Sequence, residues 1–407
     1  MTKAAPGWLV PITAILILQT TTSFLMRFIP IISPELSAEF GWSGSSIGYL
    51  SAVNMFGGLI VLMGGSSLMH QIGGVRALQF SLLIGAASLS LFLSPSLSIA
   101  LLACCLIGMS NGTATPAGSE VLQRFSPPNK RNLVFSIKQA GVPLGGVIAG
   151  LIIPAIVAVA GWRMALLAAA GMVIIATVLT WRMSAGIDEP QKNIKIKRPR
   201  LSSLRLLAVP LRSLTQGPGL LRMSVVGSLF AIAQSCWFTF TVIYLIDGLG
   251  YSLGLAGGVF AVMQAGGIVG RIALGWVADY LRSATATLTI TAVVSASTTI
   301  LLGLSNNTWP LWTIILLAFV AGCSVSSWNG VQIAEVARRS QPKLISETAA
   351  GSSILVCLSN IIAPTTFAAF VAVTGRYDYA FGCAGVCSLL VIAALPRHEP
   401  PPFPNQP

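Results

Sequence analysis

Residues 188–221 read DEPQKNIKIKRPRLSSLRLLAVPLRSLTQGPGLL, and this stretch decides the fold. It holds Lys192, Lys195, Lys197, Arg198, Arg200, Arg205 and Arg212, and it is the one long polar segment of the chain. On each side of it lie six apolar runs of about 20 residues, the length a helix needs to cross a hydrocarbon core of about 30 Å. The first six cover approximately 8–33, 44–68, 76–94, 97–121, 132–157 and 162–182. The second six cover approximately 222–246, 253–277, 284–304, 309–335, 345–373 and 378–395. Helices are expected, because a spanning segment must satisfy its own backbone groups and the short alternating segments of a barrel do not occur. The expected fold class is an all-α membrane protein of 12 transmembrane helices in two six-helix bundles related by a pseudo-twofold axis. Residues 1–184 form the first bundle, 185–221 a basic cytoplasmic linker, 222–396 the second bundle and 397–407 a proline-rich cytoplasmic tail.

Composition agrees. Of 407 residues, 54% are hydrophobic and 9% charged, against about 25% charged in a soluble domain. A chain so poor in charge cannot cover itself with a water-soluble surface, so the lipid bilayer is its solvent. The net charge of +13 argues for no nucleic acid, because the basic residues sit in loops between apolar runs rather than on one folded face. With the N-terminus placed inside, 19 of the 24 Lys and Arg fall on the cytoplasmic side and two, Arg163 and Arg376, outside. Both termini are therefore expected in the cytoplasm. The apolar stretch from Trp8 to Pro34 is too long for a signal sequence and reads as a first span.

Metal, cofactor and enzyme chemistry find no support. The seven cysteines lie in apolar runs without metal spacing, and His70 and His398 have no ligand cluster beside them. No Gly-x-x-x-x-Gly-Lys-Ser/Thr phosphate loop and no paired catalytic groups occur.

The two halves echo one another. Phe40-Gly41-Trp42-Ser43 returns as Leu249-Gly250-Tyr251-Ser252, and Gly57-Gly58 returns as Gly266-Gly267, both 209 positions later. Glu120 and Arg124 return as Glu335 and Arg339, and Gly161-Trp162-Arg163 matches Gly375-Arg376-Tyr377. Four echoes in one order indicate a duplicated six-helix unit, the build of alternating-access transporters.

On these residues the chain resembles the major facilitator superfamily over essentially its whole length. That superfamily carries a loop signature, Gly-x-x-x-Asp-(Arg/Lys)-x-Gly-x-(Arg/Lys)-(Arg/Lys), after the second helix of each half. Gly275-Trp276-Val277-Ala278-Asp279-Tyr280-Leu281-Arg282 keeps the glycine and aspartate, with Arg282 slightly displaced. The first-half copy, Gly65 to Arg76, has Met69 where aspartate is expected. Gly141-Val142-Pro143-Leu144-Gly145-Gly146 loosely resembles a helix-5 motif of antiporters in the superfamily. The resemblance implies gating by Gly275, Asp279, Arg282, Glu335 and Arg339, with Glu120 and Arg124 as counterparts. Such a charge cluster locks one state and must break for the other; the alternative is a solvated loop with incidental charges.

Three charges lie within the spans: Arg27, Lys138 and Arg271. All are cations, and a charge at mid-membrane costs about 2.5–3.5 kcal/mol on insertion scales. Arg27 shares a helical face with Gln19 and Ser23 and either lines a cavity or snorkels outward. Lys138, beside Gln139, serves substrate or gating or snorkels to the inner surface. Arg271 resembles the helix-8 arginine that monocarboxylate and oxalate carriers of the superfamily use on a substrate carboxylate; the alternative is a structural tether. Neutral candidates for the site are Asn111, Trp237, Tyr244, Trp328, Asn329, Gln332 and Asn360.

Buried cations with no carboxylate at their depth ask for an anionic substrate. The expected function is a secondary transporter of a small organic anion, a carboxylate, monomeric in the inner membrane; the resemblance implies proton coupling, with anion exchange or facilitated transport as the alternatives. Export of hydrophobic drugs or siderophore-like metabolites is the alternative, and a non-transporting receptor or assembly factor a more distant one.

Overall fold

A computed structural model describes residues 7–64, 72–127, 131–188, 210–341 and 344–396. The spans are α1 (Leu9–Phe40), α2 (Ser46–Gly64), α3 (Gly74–Ser88, tightening to a 3₁₀ turn over Leu89–Leu93) and α4 (Leu97–Phe125). The run Arg131–Ile187 is two helices, α5 (131–160) and α6 (162–187), because Gly161 leaves the helical region at φ 79° and ψ 166°. There follow α7 (Leu220–Asp247), α8 (Leu253–Leu281) and α9 (Ala284–Leu304). Last come α10 (Leu311–Arg339), α11 (Ile345–Thr374) and α12 (Tyr377–Ala394). The twelve expected helices are all present among the described residues. The linker residues Lys192 to Arg205, the first-half loop around Met69 and the tail after Pro396 lie outside them.

Two expectations are corrected in detail. The run 309–335 is expected as one helix, but α10 is interrupted: its halves Leu311–Val325 and Asn329–Arg339 meet in a turn. Serine hydroxyls compete with the ladder there, since Ser327 Oγ donates to the carbonyls of Gly322 and Gly267 at 3.0 and 3.2 Å. Arg282 sits where the loop signature has its second glycine, and it takes φ 48°. This is the left-handed conformation that costs a side chain-bearing residue about 1–2 kcal/mol.

The echoed glycines explain themselves. Gly41 and Gly250 end α1 and α7 at φ 67° and 69°, and Gly161 and Gly375 precede α6 and α12 at φ 79° and 67°. Each is a left-handed stop that reverses the chain at a helix end.

The chain packs as two compact units, one of 1–200 with 238–265 and 364–373, the other of 201–237, 266–363 and 374–407. In the first, α2 and α4 meet through small residues. A methyl on Gly57 would lie 2.1 Å from the Cys105 carbonyl oxygen, and one on Gly108 would lie 1.7 Å from that of Asn54. In the second, Gly266 meets the Phe319 carbonyl at 2.3 Å in the same sense, so α8 and α10 repeat the α2–α4 seam. Close backbone approach replaces the hydrophobic drive that lipid cannot supply. Buried hydroxyls add cross-links in the second unit, among them Ser295 to Ser388 at 3.1 Å and the Trp237 indole N–H to Thr299 at 2.9 Å.

Candidate functional site

Within the first unit α1, α4, α5, α7 and α8 bring polar side chains together. Arg27 is 7% exposed on α1, and its guanidinium carbon lies 3.8 Å from the Phe238 ring centroid. A guanidinium over an aromatic face is stabilised by about 0.5–2 kcal/mol, more when desolvated. Phe238 in turn meets Phe260 of α8 edge-on at 6.5 Å. Gln19 and Ser23 lie buried on the same face of α1 as Arg27.

Lys138 is 2% exposed and its ammonium donates to Ser119 Oγ of α4 at 2.9 Å. Gly118 makes room for it, since a methyl there would lie 3.0 Å from Lys138 Cε. One turn on, α5 presents Gly141 and Gly145 to α1. Substituents would meet Gln19 and Thr20 at Gly141, and Thr20, Ser23 and Phe24 at Gly145. Lys138 and Gln19 thus lie along the α1–α5 contact, with Arg27 two turns beyond Gln19 on α1, while Gln139 faces outward, Asn111 is half-buried and Tyr244 is buried.

The other sequence-derived residues belong to the second unit. Asn329, Gln332 and Asn360 line a cavity of about 170 Å³ between α10 and α11, with Ser352, Ser353 and Cys357. Gln332 Nε2 donates to the Met223 carbonyl and to Ser352 Oγ, both at 3.1 Å. Trp328 stacks on Phe230 at 5.5 Å, fully buried in the apolar core, and Trp237 is likewise enclosed. Arg271 is partly buried on α8, one residue from Gly270, which abuts Cys323 and Ser327 of α10.

A model of the major facilitator superfamily matches residues 12–364. The chain belongs to that superfamily. An MFS-type transporter of Mycobacterium tuberculosis, MT3072, is 25% identical over 94% of this chain and 84% of its own. A gallate transporter of Pseudomonas putida is 24% identical over 68% of this chain and 66% of its own. A solved structure, a bacterial homologue of the human lysosomal transporter Spinster in its inward-facing, unoccupied conformation, aligns with a TM-score of 0.74. It shares 14% identity, over 97% of this chain and 96% of that one, and so speaks for the fold. This superfamily transporter is a multi-pass membrane protein and no enzyme.

Its expected gating residues fall into separate groups. Glu335 and Arg339 of α10 are both buried, with Arg339 Nε donating to Glu335 Oε1 at 2.7 Å. Arg338, half exposed, holds the same carboxylate in a fork at 2.7 and 2.9 Å. Arg339 Nη1 also donates to the Pro218 carbonyl at 3.3 Å, which ties α10 to the turn that starts α7. Asp279 and Arg282 are exposed at the α8–α9 turn, where the Arg282 amide donates to the Asp279 carbonyl at 3.3 Å. Glu120 is half-buried on α4, and Arg124, exposed, covers the Phe125 ring at 4.9 Å.

Sequence reasoning missed two residues. Asp188, read as the start of the linker, is 7% exposed and accepts from the amides of Val75 and Arg76 at 3.1 and 2.8 Å. It caps the N-terminus of α3, where a carboxylate complements the helix dipole. Burial pushes its carboxyl above the ordinary value, while the two amides and the Arg76 and Arg124 charges pull the other way. Its only signal was a carboxylate directly after a helix end. Gln264 of α8 is 1% exposed beside Gly146 of α5. A lone glutamine in an apolar run carries no periodic signal.

Proposed function

We propose that the chain carries a small organic anion, a carboxylate, across the inner membrane by alternating access, and that an aromatic carboxylate is the subclass it takes. The observation that carries this reading is Arg27, a buried guanidinium laid over the Phe238 ring with Gln19 and Ser23 beside it. A buried cation is stabilised most by an anion, and the guanidinium fork suits a carboxylate's two oxygens. Lys138 on the adjacent α5 adds a second buried cation. A planar substrate acid exchanges one aromatic neighbour of Arg27 for another while adding a charge. The gallate transporter among its relatives, named for an aromatic carboxylate, supports the same class. Proton coupling is the energy source the superfamily resemblance implies, and the charge split between loops supports cytoplasmic termini.

Counterflow in proteoliposomes tests it. Preloading with a panel of aliphatic and aromatic carboxylates is expected to stimulate uptake of at least one aromatic acid. Arg27→Gln is expected to lower that uptake about 10- to 100-fold, the weight of one charged hydrogen-bonded contact. If no carboxylate in the panel shows trans-stimulated uptake, the class is wrong.

A further inference from the structure

Gln264 has a side-chain environment that packing alone does not account for. It is 1% exposed, yet neither its Nε2 nor its Oε1 has a hydrogen-bond partner among the described residues. A buried amide left unbonded is costly, because it loses its water and gains nothing. Native helices satisfy such groups or replace them with apolar ones, so the exceptions ask for an explanation.

The surroundings supply one. Gly146 of α5 stands against the amide so closely that a methyl there would lie 2.0 Å from Nε2. An alanine at position 146 is therefore incompatible with the glutamine as placed. On α8, Phe260 is one turn before Gln264 and packs on the ring that Arg27 covers. Gln264 thus borders the neighbourhood of the buried cation, through Phe260 and Phe238.

We infer that Gln264 forms a neutral subsite that recognises a hydroxyl group on the transported carboxylate. The inference rests on the carboxylate reading above. A hydroxyl donates one hydrogen bond and accepts others through its lone pairs. The carboxamide offers an acceptor and two donors, so both roles of a substrate hydroxyl are met without another charge. Arg27 supplies the charge that the carboxylate requires. A site built this way discriminates by the hydroxyl: an analogue that lacks it leaves the amide unsatisfied.

The test compares benzoate with 4-hydroxybenzoate. Their affinities for the purified transporter are measured calorimetrically in wild type, Gln264→Met and Arg27→Gln. Methionine keeps the length and straight chain of glutamine without its polar atoms. Wild type is expected to prefer the hydroxylated acid by about 5- to 100-fold. Gln264→Met is expected to level the two affinities by weakening 4-hydroxybenzoate alone, with benzoate within about twofold of wild type. Its Tm is expected to hold or rise, since an unbonded amide is removed. Arg27→Gln should weaken both acids in equal measure.

A preference that survives in Gln264→Met overturns the subsite and leaves the carboxylate reading intact. Equal weakening of both acids in Gln264→Met with a lowered Tm also overturns it, marking a structural glutamine. If wild type binds neither acid, nor any other in the panel, the carboxylate reading falls and the subsite with it.

Discussion

Glu335 holds two arginines that the structure places in opposite surroundings, and exchanging each in turn weighs them. Glu335 and Arg339 side chains are 2% and 1% exposed, and Arg338 is 43% exposed. An exposed pair is screened and contributes about 0.2–1 kcal/mol. Breaking a buried pair strands a charge and costs about 3–5 kcal/mol. Arg338→Gln is thus expected to cost no more than about 1 kcal/mol. Glu335→Gln should cost about 3–5 kcal/mol, because Arg339 keeps its charge and loses this buried carboxylate, while its bond to the Pro218 carbonyl remains. At roughly 2–4 °C per kcal/mol for a unit of this size, the second loss lowers Tm by about 6–20 °C. Removing both buried charges, in Glu335→Gln with Arg339→Leu, should recover much of it, since the stranded cation is gone. The assay is thermal unfolding in detergent followed by tryptophan fluorescence, with size-exclusion profiles as a check on aggregation. Equal Tm losses for Arg338→Gln and Glu335→Gln would refute the reasoning, for burial would then not set the strength of these pairs.

Arg282→Gly is expected to raise stability by about 1 kcal/mol, visible as a higher Tm, because the φ of 48° strains a side chain-bearing residue. Gly108→Ala should lower the Tm and the folded yield. Its methyl meets the backbone carbonyl of Asn54 at 1.7 Å and nothing flexible can yield, so α2 and α4 must part. Asp188→Asn tests a titration. The folded carboxyl lies above the ordinary 3.8 because of burial, so the folded state binds a proton more tightly than the unfolded one. Stability from this group therefore rises as pH falls through the folded pKa and levels off near 3.8. The Tm of wild type relative to Asp188→Asn is expected to climb over that window when both are scanned from neutral to acid pH. A flat difference would exclude the carboxyl as the titrating group.

The helices were legible because the bilayer imposes one period, one length and one polarity on every crossing segment. The echoed glycines were legible for a related reason, since a chain reversal at positive φ is easiest for a residue free of Cβ. So the twelve crossings and the duplication stand in the residues, including Gly41, Gly250, Gly161 and Gly375. Periodicity also put Gln19, Ser23 and Arg27 on one face of α1 without the fold. It could not say what faces them. Trp237 and Trp328, chosen as site aromatics, are enclosed among neighbours in the second unit, because an indole fills a core as readily as it lines a cavity. Lys138 fits against α4 at Gly118, and α5 meets α1 at Gly141 and Gly145, approaches that only the packed helices reveal. Asp188 became the cap of α3 because α6 ends beside it, more than a hundred positions along the chain. Gln264 matters through its fit against Gly146, and a fit between distant helices is a property of three-dimensional packing. The residues determined a duplicated twelve-helix membrane protein with cations in its spans; the tertiary structure decided which polar groups meet, because that depends on helix rotation and approach to within an ångström.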